Sequence, residues 1–194
     1  AVKVARKAFE SGVWSKTAPE FRKEILLKFA ELLRKHGKEN SVIECVDTGK
    51  LINDCLNEVA NDTPMHFQWY AELIDKTFGK VSATDPSITS LIVKEPIGVV
   101  AGVVPWNFPL MMAVWKAAPA LAAGCSVIIK PAEDTPLSAL RIAQIASDAG
   151  IPDGVLNVLP GFGDVGEALG RHNDVDAVSF TGSTEVGGLF MKYS

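Results

Sequence analysis

Cysteine is scarce in this sequence, and its pattern excludes two kinds of structure. The three cysteines, Cys45, Cys55 and Cys125, are an odd number without paired spacing, so neither a disulfide framework nor a cysteine zinc site is predicted. Cys125 opens a predicted strand, where a buried and unreactive thiol is the usual role. Free thiols fit a reducing compartment, so we predict a cytoplasmic protein.

Long hydrophobic runs, clustered basic residues and metal-ligand clusters are also missing. The longest apolar stretch, residues 97–104, is far shorter than the roughly 18–20 residues that span a bilayer, so no membrane partner is expected. The 19 basic and 23 acidic residues give a net charge of −4, which indicates no nucleic-acid partner. His36 and His66 have no apparent ligand partners, and no metal site is predicted.

Both ends of the chain resemble interrupted helices. Residues 1–9 have the pattern of an amphipathic helix without an initiator methionine or a signal peptide, and the last residues stop within another helical pattern. Hydrophobic residues make up 47% of the 194 positions, which is enough to bury a core. We interpret the sequence as a fragment of a longer protein.

Residues 1–80 have the patterning of a helical region. Thr17 and Glu20 have the spacing of a capping box, which predicts a helix start. Gly37 follows three basic side chains at residues 34–36 and predicts the stop of that helix. A second helix is predicted over residues 53–76, which Pro64 can break in two.

After residue 90 the sequence changes to short apolar runs that alternate with helical patterns. Because the runs are continuous, they indicate strands covered on both faces, as in a parallel sheet. The runs lie at residues 91–93, 97–104, 126–129, 155–159 and 177–180, and the helical patterns at residues 110–123, 136–149 and 164–171. Thr135 can cap the second helix, and Gly150 can end it. This repetition predicts an α/β fold: a helical region followed by a doubly wound, mostly parallel, Rossmann-like sheet over residues 96–194.

Two glycine-containing turns follow predicted strands and open helices. Residues 161–166 read Gly-x-Gly-x-x-Gly, which is typical of dinucleotide binding here, although a tight turn explains the pattern about as often. Its acidic partner for a ribose could be Glu185. Gly182 and Ser183 lie in the second turn, where a phosphate contact and a plain helix cap are equally good interpretations.

Charged and amide side chains stand at the ends of two other predicted strands. Lys130 and Glu133 flank Pro131, which turns the chain so that both side chains can face one crevice. There a carboxylate could accept both hydroxyls of a ribose, and the alternative is a surface ion pair of little energy. Asn107 follows a buried strand and can donate to a developing oxyanion, or can simply form a turn.

Five segments carry a specific combined signal. They read Glu-Pro-Ile-Gly-Val-Val at residues 95–100, Pro-Trp-Asn-Phe-Pro at 105–109, Pro-Ala-Leu-Ala-Ala-Gly at 119–124, Ile-Lys-Pro-Ala-Glu at 129–133 and Phe-Thr-Gly-Ser-Thr-Glu-Val-Gly at 180–187. In order and spacing they resemble the amino-terminal half of an NAD(P)-dependent aldehyde dehydrogenase. Residues 171–176, Arg-His-Asn-Asp-Val-Asp, resemble the bacterial γ-glutamyl-γ-aminobutyraldehyde dehydrogenases.

The resemblance implies a role for each candidate residue. Asn107 corresponds to the side chain that stabilises the thiohemiacetal oxyanion, and Lys130 and Glu133 correspond to the pair on the adenosine ribose. NAD is the implied cofactor, with NADP disfavoured because Glu133 would repel its 2′-phosphate. Further cofactor contacts are implied for Val104, Trp106, Gly163, Gly182, Ser183 and Val186. Walls of the aldehyde tunnel are implied for Phe108, Met112 and Trp115, which by helical spacing alone would be core residues.

The resemblance also implies what lies elsewhere. The catalytic cysteine and the general-base glutamate of the family have no match in the sequence, so both are expected beyond Ser194 and the fragment alone is expected to be inactive. Cys125 has no neighbouring base to activate it. Family members oxidise an aldehyde through a cysteine thiohemiacetal and thioester. They are homodimers or homotetramers, and residues 81–95 resemble part of their oligomerisation element.

The residues alone leave two other classes of function open. The chain could be a non-catalytic nucleotide-binding or scaffolding module from a truncated gene, although its sheet would then keep an unfinished apolar edge. A Rossmann dehydrogenase of the hydroxy-acid type is disfavoured, because Glu133 precedes the glycine-rich turn instead of following it.

Overall fold

The first part of the chain is helical in the computed structural model, which describes residues 1–193. Its helices are α1 (Val2–Ser11), α2 (Pro19–Lys35), α3 (Gly37–Thr48), α4 (Ile52–Cys55) and α5 (Thr63–Leu73). A π-helical segment (Leu56–Asp62) joins α4 to α5, and a 3₁₀ turn (Ile74–Lys76) follows α5.

The predicted capping box at the start of α2 is wrong. The helix begins at Pro19, whose ring fixes a helical φ and has no N–H to satisfy, and Ala18 before it makes no side-chain cap. The Thr17 hydroxyl donates instead to the carbonyl oxygen of Trp14 at 2.8 Å. Thr17 and Glu20 therefore do not cap the helix together.

At two further helix boundaries, the residue that was predicted to end a helix has a different role. The stop of α2 is confirmed at Lys35, but Gly37 has no positive φ and begins α3. Pro64 does not break the helical run over residues 53–76. It stands in the first turn of α5, where its missing N–H is not needed, and the π-helical segment before it carries the chain into that turn.

The rest of the chain alternates strands and helices. In chain order it forms β1 (Lys80–Ser82), β2 (Ser90–Ile92), β3 (Val99–Val103), α6 (Pro109–Ala123), β4 (Ser126–Lys130), α7 (Leu137–Ala149), β5 (Leu156–Val158), α8 (Gly163–Gly170), β6 (Ala177–Phe180) and α9 (Thr184–Tyr193). The strands β3 to β6 form one sheet in the order β5-β4-β3-β6, and every neighbouring pair in it is parallel. The predicted α/β class with a parallel, Rossmann-like sheet is confirmed.

The strand order determines where a ligand can bind. From β3 the chain moves through β4 to β5 on one side, and it then returns to place β6 on the other side of β3. Ligands of doubly wound sheets bind outside the carboxyl ends of the strands at such a reversal. Val103 is level with Lys130 and with Phe180, so the turns after β3, β4 and β6 begin side by side.

Both faces of the central strands are buried, as their continuous apolar sequence predicts. Val127 and Ile129 of β4 join a core with α2, α5, α6 and α7, whereas Ile128 joins a second cluster with α1 and α8. The expectation fails for β6, where Val178 is 37% exposed, and for the run at residues 91–93, which lies in the antiparallel pair β1–β2 with exposed side chains. Among residues 1–193, β6 is an edge strand and has a neighbour on one side only.

The start of α7 also lacks its predicted threonine cap. The Thr135 hydroxyl is buried and makes no hydrogen bond within residues 1–193. The N–H of Leu137 donates to the Asp47 carboxylate of α3 at 2.8 Å, so the cap comes from a residue 90 positions away. Gly150 ends the helix as predicted, with a φ of +102°.

The strands β1 and β2 form a separate antiparallel ribbon between the helical region and the main sheet. Val81 pairs with Leu91, and both side chains are exposed. The ribbon contributes no residue to either apolar cluster.

We expect Gly150→Ala to lower the free energy of unfolding by about 1–2 kcal/mol, because an L side chain at this φ is strained even though no atom lies within 4 Å. The matched control is Gly188→Ala inside α9. There an added Cβ also meets nothing within 4 Å, and alanine should stabilise the helix by about 0.5–1 kcal/mol. Urea unfolding measures both changes. Equal changes in the two variants would contradict this explanation of the end of α7.

Candidate functional site

The predicted site residues lie in turns along one edge of the sheet. Asn107 follows β3, Lys130 ends β4 with Glu133 just after it, and Ser183 follows β6. Gly163 begins the helix after β5, the strand next to β4. The candidate site is this row of strand ends, which consists of the turns after β3, β4, β5 and β6.

The structure brings Lys130 and Glu133 together as predicted. The Lys130 Nζ donates to the Glu133 Oε2 at 3.3 Å. The lysine side chain is only 6% exposed, whereas that of Glu133 is 42% exposed, so the carboxylate faces solvent with the ammonium behind it. Its own backbone N–H, and then Lys130, lower the pKa of Glu133, so the carboxylate is ionised at neutral pH. An ionised, accessible carboxylate beside a buried ammonium can bind a diol, unlike a surface pair between two mobile side chains.

The turn after β3 presents an amide without a partner. Asn107 is exposed, and its side chain makes no hydrogen bond within the described part of the chain. A turn-forming asparagine side chain would accept or donate a hydrogen bond to the nearby backbone. The Asn107 side chain makes no such bond within residues 1–193, so it does not stabilise the turn in this way. Trp106 beside it is exposed, whereas Val104 is buried and donates its N–H to the Lys130 carbonyl oxygen at 3.1 Å.

The three predicted tunnel residues differ in their surroundings. Phe108 precedes α6, and the Lys50 Nζ lies 3.8 Å from its ring centroid. Met112 is half-buried and packs against the main core, whereas Trp115 is 48% exposed, with its ring centroid 5.7 Å from that of His66. The exposed ring of Trp115 is thus the one most open to a ligand.

The two glycine turns also differ. Gly163 is the first residue of α8, and no atom lies within 4 Å of the place where a Cβ would be, so the start of α8 is accessible. At Gly182 a Cβ would lie 2.5 Å from the Phe180 ring. The Ser183 Oγ accepts the N–H of Val186 at 3.3 Å, so this serine caps α9 and keeps its hydroxyl proton for another acceptor.

Sequence reasoning missed Lys116, a buried lysine of α6. Its Nζ donates to the Thr181 Oγ1 at 2.5 Å and so joins α6 to the turn after β6. Burial lowers the pKa of Lys116. It is the only charged residue in α6, and a single charge in an otherwise apolar helix was the signal that could have revealed it.

Sequence reasoning also missed two carboxylates of α3. Glu44 is fully buried and accepts the N–H of Leu110, in the first turn of α6, at 3.2 Å. Asp47 accepts the N–H of Leu137, the first residue of α7, at 2.8 Å. Burial raises the pKa of Glu44. Neither α6 nor α7 has a side-chain cap from its own N-cap residue, so α3 supplies one to each.

Two clefts of the molecule differ in their distance from this row, since the second includes Leu159 after β5 and Val165 of α8. One of about 580 Å³ is lined by α2, α5, α6 and residues 94–95, and contains no predicted site residue. The other, of about 400 Å³, lies between α1 and α8. Within residues 1–193, no group of acidic, histidine or cysteine side chains is placed to hold a metal ion. In the same part of the chain, every helix is too short or too polar to cross a bilayer.

Known proteins share this sequence and fold. The family model for the aldehyde dehydrogenase family matches residues 1–194. The NADP/NAD-dependent aldehyde dehydrogenase PuuC of Escherichia coli strain K12 is 50% identical over 193 residues, which are 99% of this chain and 39% of PuuC. The chain therefore spans about two-fifths of the length of this relative.

Two solved structures agree with that match. The γ-glutamyl-γ-aminobutyraldehyde dehydrogenase of Burkholderia cenocepacia J2315 and an indole-3-acetaldehyde dehydrogenase in complex with NAD⁺ are each 50% identical to this chain with a TM-score of 0.97. Each match covers 99% of this chain and 39% of the other. The predicted resemblance is confirmed and the hydroxy-acid alternative is excluded: the chain belongs to the aldehyde dehydrogenase family.

Proposed function

We propose that this chain is the amino-terminal, cofactor-binding part of an enzyme that oxidises an aldehyde to a carboxylate with NAD⁺. The observation that carries the proposal is the row of strand ends, in which the turn with the free amide of Asn107 and the turn with the Lys130–Glu133 pair follow two paired strands. Among the relatives, PuuC is named for both NADP and NAD, and the indole-3-acetaldehyde dehydrogenase structure holds NAD⁺.

The residues of the row fit a dinucleotide. The ionised Glu133 can accept both hydroxyls of the adenosine ribose while Lys130 donates to the same sugar. The open start of α8 at Gly163 and the hydroxyl proton of Ser183 suit the pyrophosphate. We assign the remaining walls of the cofactor cleft to Val104, Trp106, Gly182 and Val186.

The same carboxylate favours NAD⁺ over NADP⁺. A 2′-phosphate on the adenosine ribose would stand against Glu133, and like charges at such a short distance repel. The lowered pKa of Glu133 keeps that negative charge at neutral pH. Lys130 is occupied by Glu133 and offers only partial compensation.

Asn107 acts at the oxygen of the aldehyde. A cysteine thiolate, which we place outside residues 1–194, adds to the carbonyl carbon and leaves its electron pair on the oxygen. The Asn107 amide then donates a hydrogen bond to that oxyanion. Bound NAD⁺ supplies the hydride acceptor. Loss of hydride leaves a thioester, which water hydrolyses to the carboxylate with help from a glutamate that we also place outside this chain.

The aldehyde itself enters past aromatic and apolar side chains. We assign the tunnel walls to Phe108, Met112 and Trp115. The Lys50 Nζ lies over the Phe108 ring, and the Trp115 ring lies against that of His66, so each ring has a neighbouring side chain. Apolar walls of this kind bind the carbon skeleton of an aldehyde and leave its oxygen to Asn107.

The ribbon is the part of the chain that we assign to assembly. Within residues 81–95, which we interpret as part of an oligomerisation element, Val81, Leu91 and Val93 are all exposed. Exposed apolar side chains grouped on one element are typical of an interface. We propose a homodimer or homotetramer, in which residues 1–80 and 96–194 form the cofactor domain, and we place the enzyme in the cytoplasm, in keeping with its free thiols.

We expect Asn107→Ala in the full-length enzyme to lower kcat by roughly 10²–10³-fold, because the oxyanion loses a donor, with the Kd for NAD⁺ changed less than about twofold. NADH formation and a binding titration measure the two constants. Asn173→Ala, an exposed asparagine before β6, is the control and should change neither. Unchanged turnover in Asn107→Ala would contradict the assignment.

We expect Glu133→Gln to reduce the preference for NAD⁺ over NADP⁺ by about tenfold. The substitution removes the repulsion between the Glu133 carboxylate and the 2′-phosphate, and about 1.4 kcal/mol of repulsion between two charges near a surface corresponds to a tenfold preference. The readout is the ratio of kcat/KM for the two cofactors. The matched control is Glu185→Gln, because Glu185 is the other acidic residue that could contact a ribose. Discrimination that stays the same in Glu133→Gln, or falls in Glu185→Gln instead, would show that another residue decides.

A further inference from the structure

Helix α3 contacts the first turns of α6 and α7, the helices that follow the turns after β3 and β4. Its Glu44 reaches the first turn of α6 and its Asp47 reaches the first residue of α7, at 3.2 Å and 2.8 Å. These contacts join residues 66 and 90 positions apart in the sequence. One helix outside the main sheet therefore touches the two segments that lead from β3 and β4.

The contact of Glu44 lies next to the turn that carries Asn107. Phe108 precedes α6 without capping it, and Pro109 has no N–H, so the N–H of Leu110 is the first donor of the helix that needs a partner. A Glu44 carboxyl oxygen supplies that partner. Asn107 is three residues away from this fixed point.

The contact of Asp47 lies next to the turn that carries Glu133. The N–H of Leu137 is its donor, and Thr135, the local candidate for a cap, does not bond to the helix. Glu133 is four residues before Leu137. The backbone contacts of the two α3 carboxylates thus hold different turns of the same row, one with the oxyanion donor and one with the ribose pair, while Glu44 also lies beside the Ser138 side chain in the first turn of α7.

We propose that Glu44 and Asp47 are positioning residues with separate tasks: Glu44 fixes the turn of Asn107, and Asp47 fixes the turn of Glu133. The inference rests on the proposed function, because it takes Asn107 as the oxyanion donor and Glu133 as the ribose acceptor. Neither carboxylate is placed in contact with substrate or cofactor.

The burial of Glu44 gives its contact the rigidity that positioning requires. Its side chain is fully buried, so it has no alternative solvent-exposed orientation, while its helix packs against α7 and the π-helical segment. Catalytic geometry is sensitive to such supports, since a displacement of about 1 Å at the reacting groups can cost about 10²-fold in rate. Cofactor affinity depends on a different turn and is not expected to follow.

The test uses the full-length enzyme with Glu44→Ala and Asp47→Ala, each of which removes the acceptor of one helix-start N–H. NADH formation from propanal and from indole-3-acetaldehyde gives kcat, and titration gives the Kd for NAD⁺. In Glu44→Ala we expect kcat to fall about tenfold or more with the Kd within about twofold. In Asp47→Ala we expect the Kd to rise about fivefold with kcat at saturating NAD⁺ within about twofold.

A purely structural role would give a different pattern. If both variants changed kcat and Kd together, or if neither constant changed, the inference would be overturned. Should Glu44→Ala yield no folded enzyme, Glu44→Asp serves in its place, because it keeps a carboxyl group but withdraws it by one methylene and should lower kcat selectively. A folded wild-type enzyme that forms no NADH from any aldehyde would instead contradict the proposed function itself.

Discussion

The candidate site depends on the parallel pairing of β3 with β4 on one side and with β6 on the other. That pairing aligns the ends of three strands. The site also depends on helix α6, which packs closely over these strands. At Gly102 of β3 an added Cβ would lie 2.8 Å from Ile129 and 3.2 Å from the Lys116 stem. The missing side chain gives Lys116 room to pass over β3 and reach Thr181 beyond it. A small residue in the central strand therefore permits a buried charge next to the site.

The helical region takes part in the site as well as supporting it. Hydrogen bonds between strands fix the site residues along the sheet, but they do not fix where the following helices begin. Glu44 and Asp47 of α3 provide that second constraint for α6 and α7. Burial raises the pKa of Glu44 and lowers that of Lys116. Glu44 contacts the start of α6, and Lys116 joins the middle of α6 to the turn after β6. Burying such polar groups costs free energy of desolvation. We therefore expect them at places where the position of the neighbouring site residues must be fixed.

Sequence reasoning succeeded where the signal is local and failed where partners are distant. The strands β3 and β4 were predictable because burial on both faces requires continuous apolar residues. The Lys130–Glu133 contact was predictable because the two residues are only three positions apart and Pro131 between them restricts the backbone. The caps expected from Thr17 and Thr135 were wrong, since Pro19 starts one helix without a cap and Asp47 caps the other from far away. Lys116 and Glu44 were missed because their partners, Thr181 and Leu110, are 65 and 66 positions away in the sequence. A local sequence pattern cannot indicate contacts over such a separation.

The most direct test is the structure of the full-length protein in complex with NAD⁺. We expect the adenosine ribose at the end of β4, with both hydroxyls within hydrogen-bonding distance of the Glu133 carboxylate and the Lys130 Nζ beside them. We also expect the nicotinamide on the side of Asn107. A ribose bound at Glu185, or a cofactor in the cleft lined by α2, α5 and α6, would show that the row of strand ends is not the cofactor site.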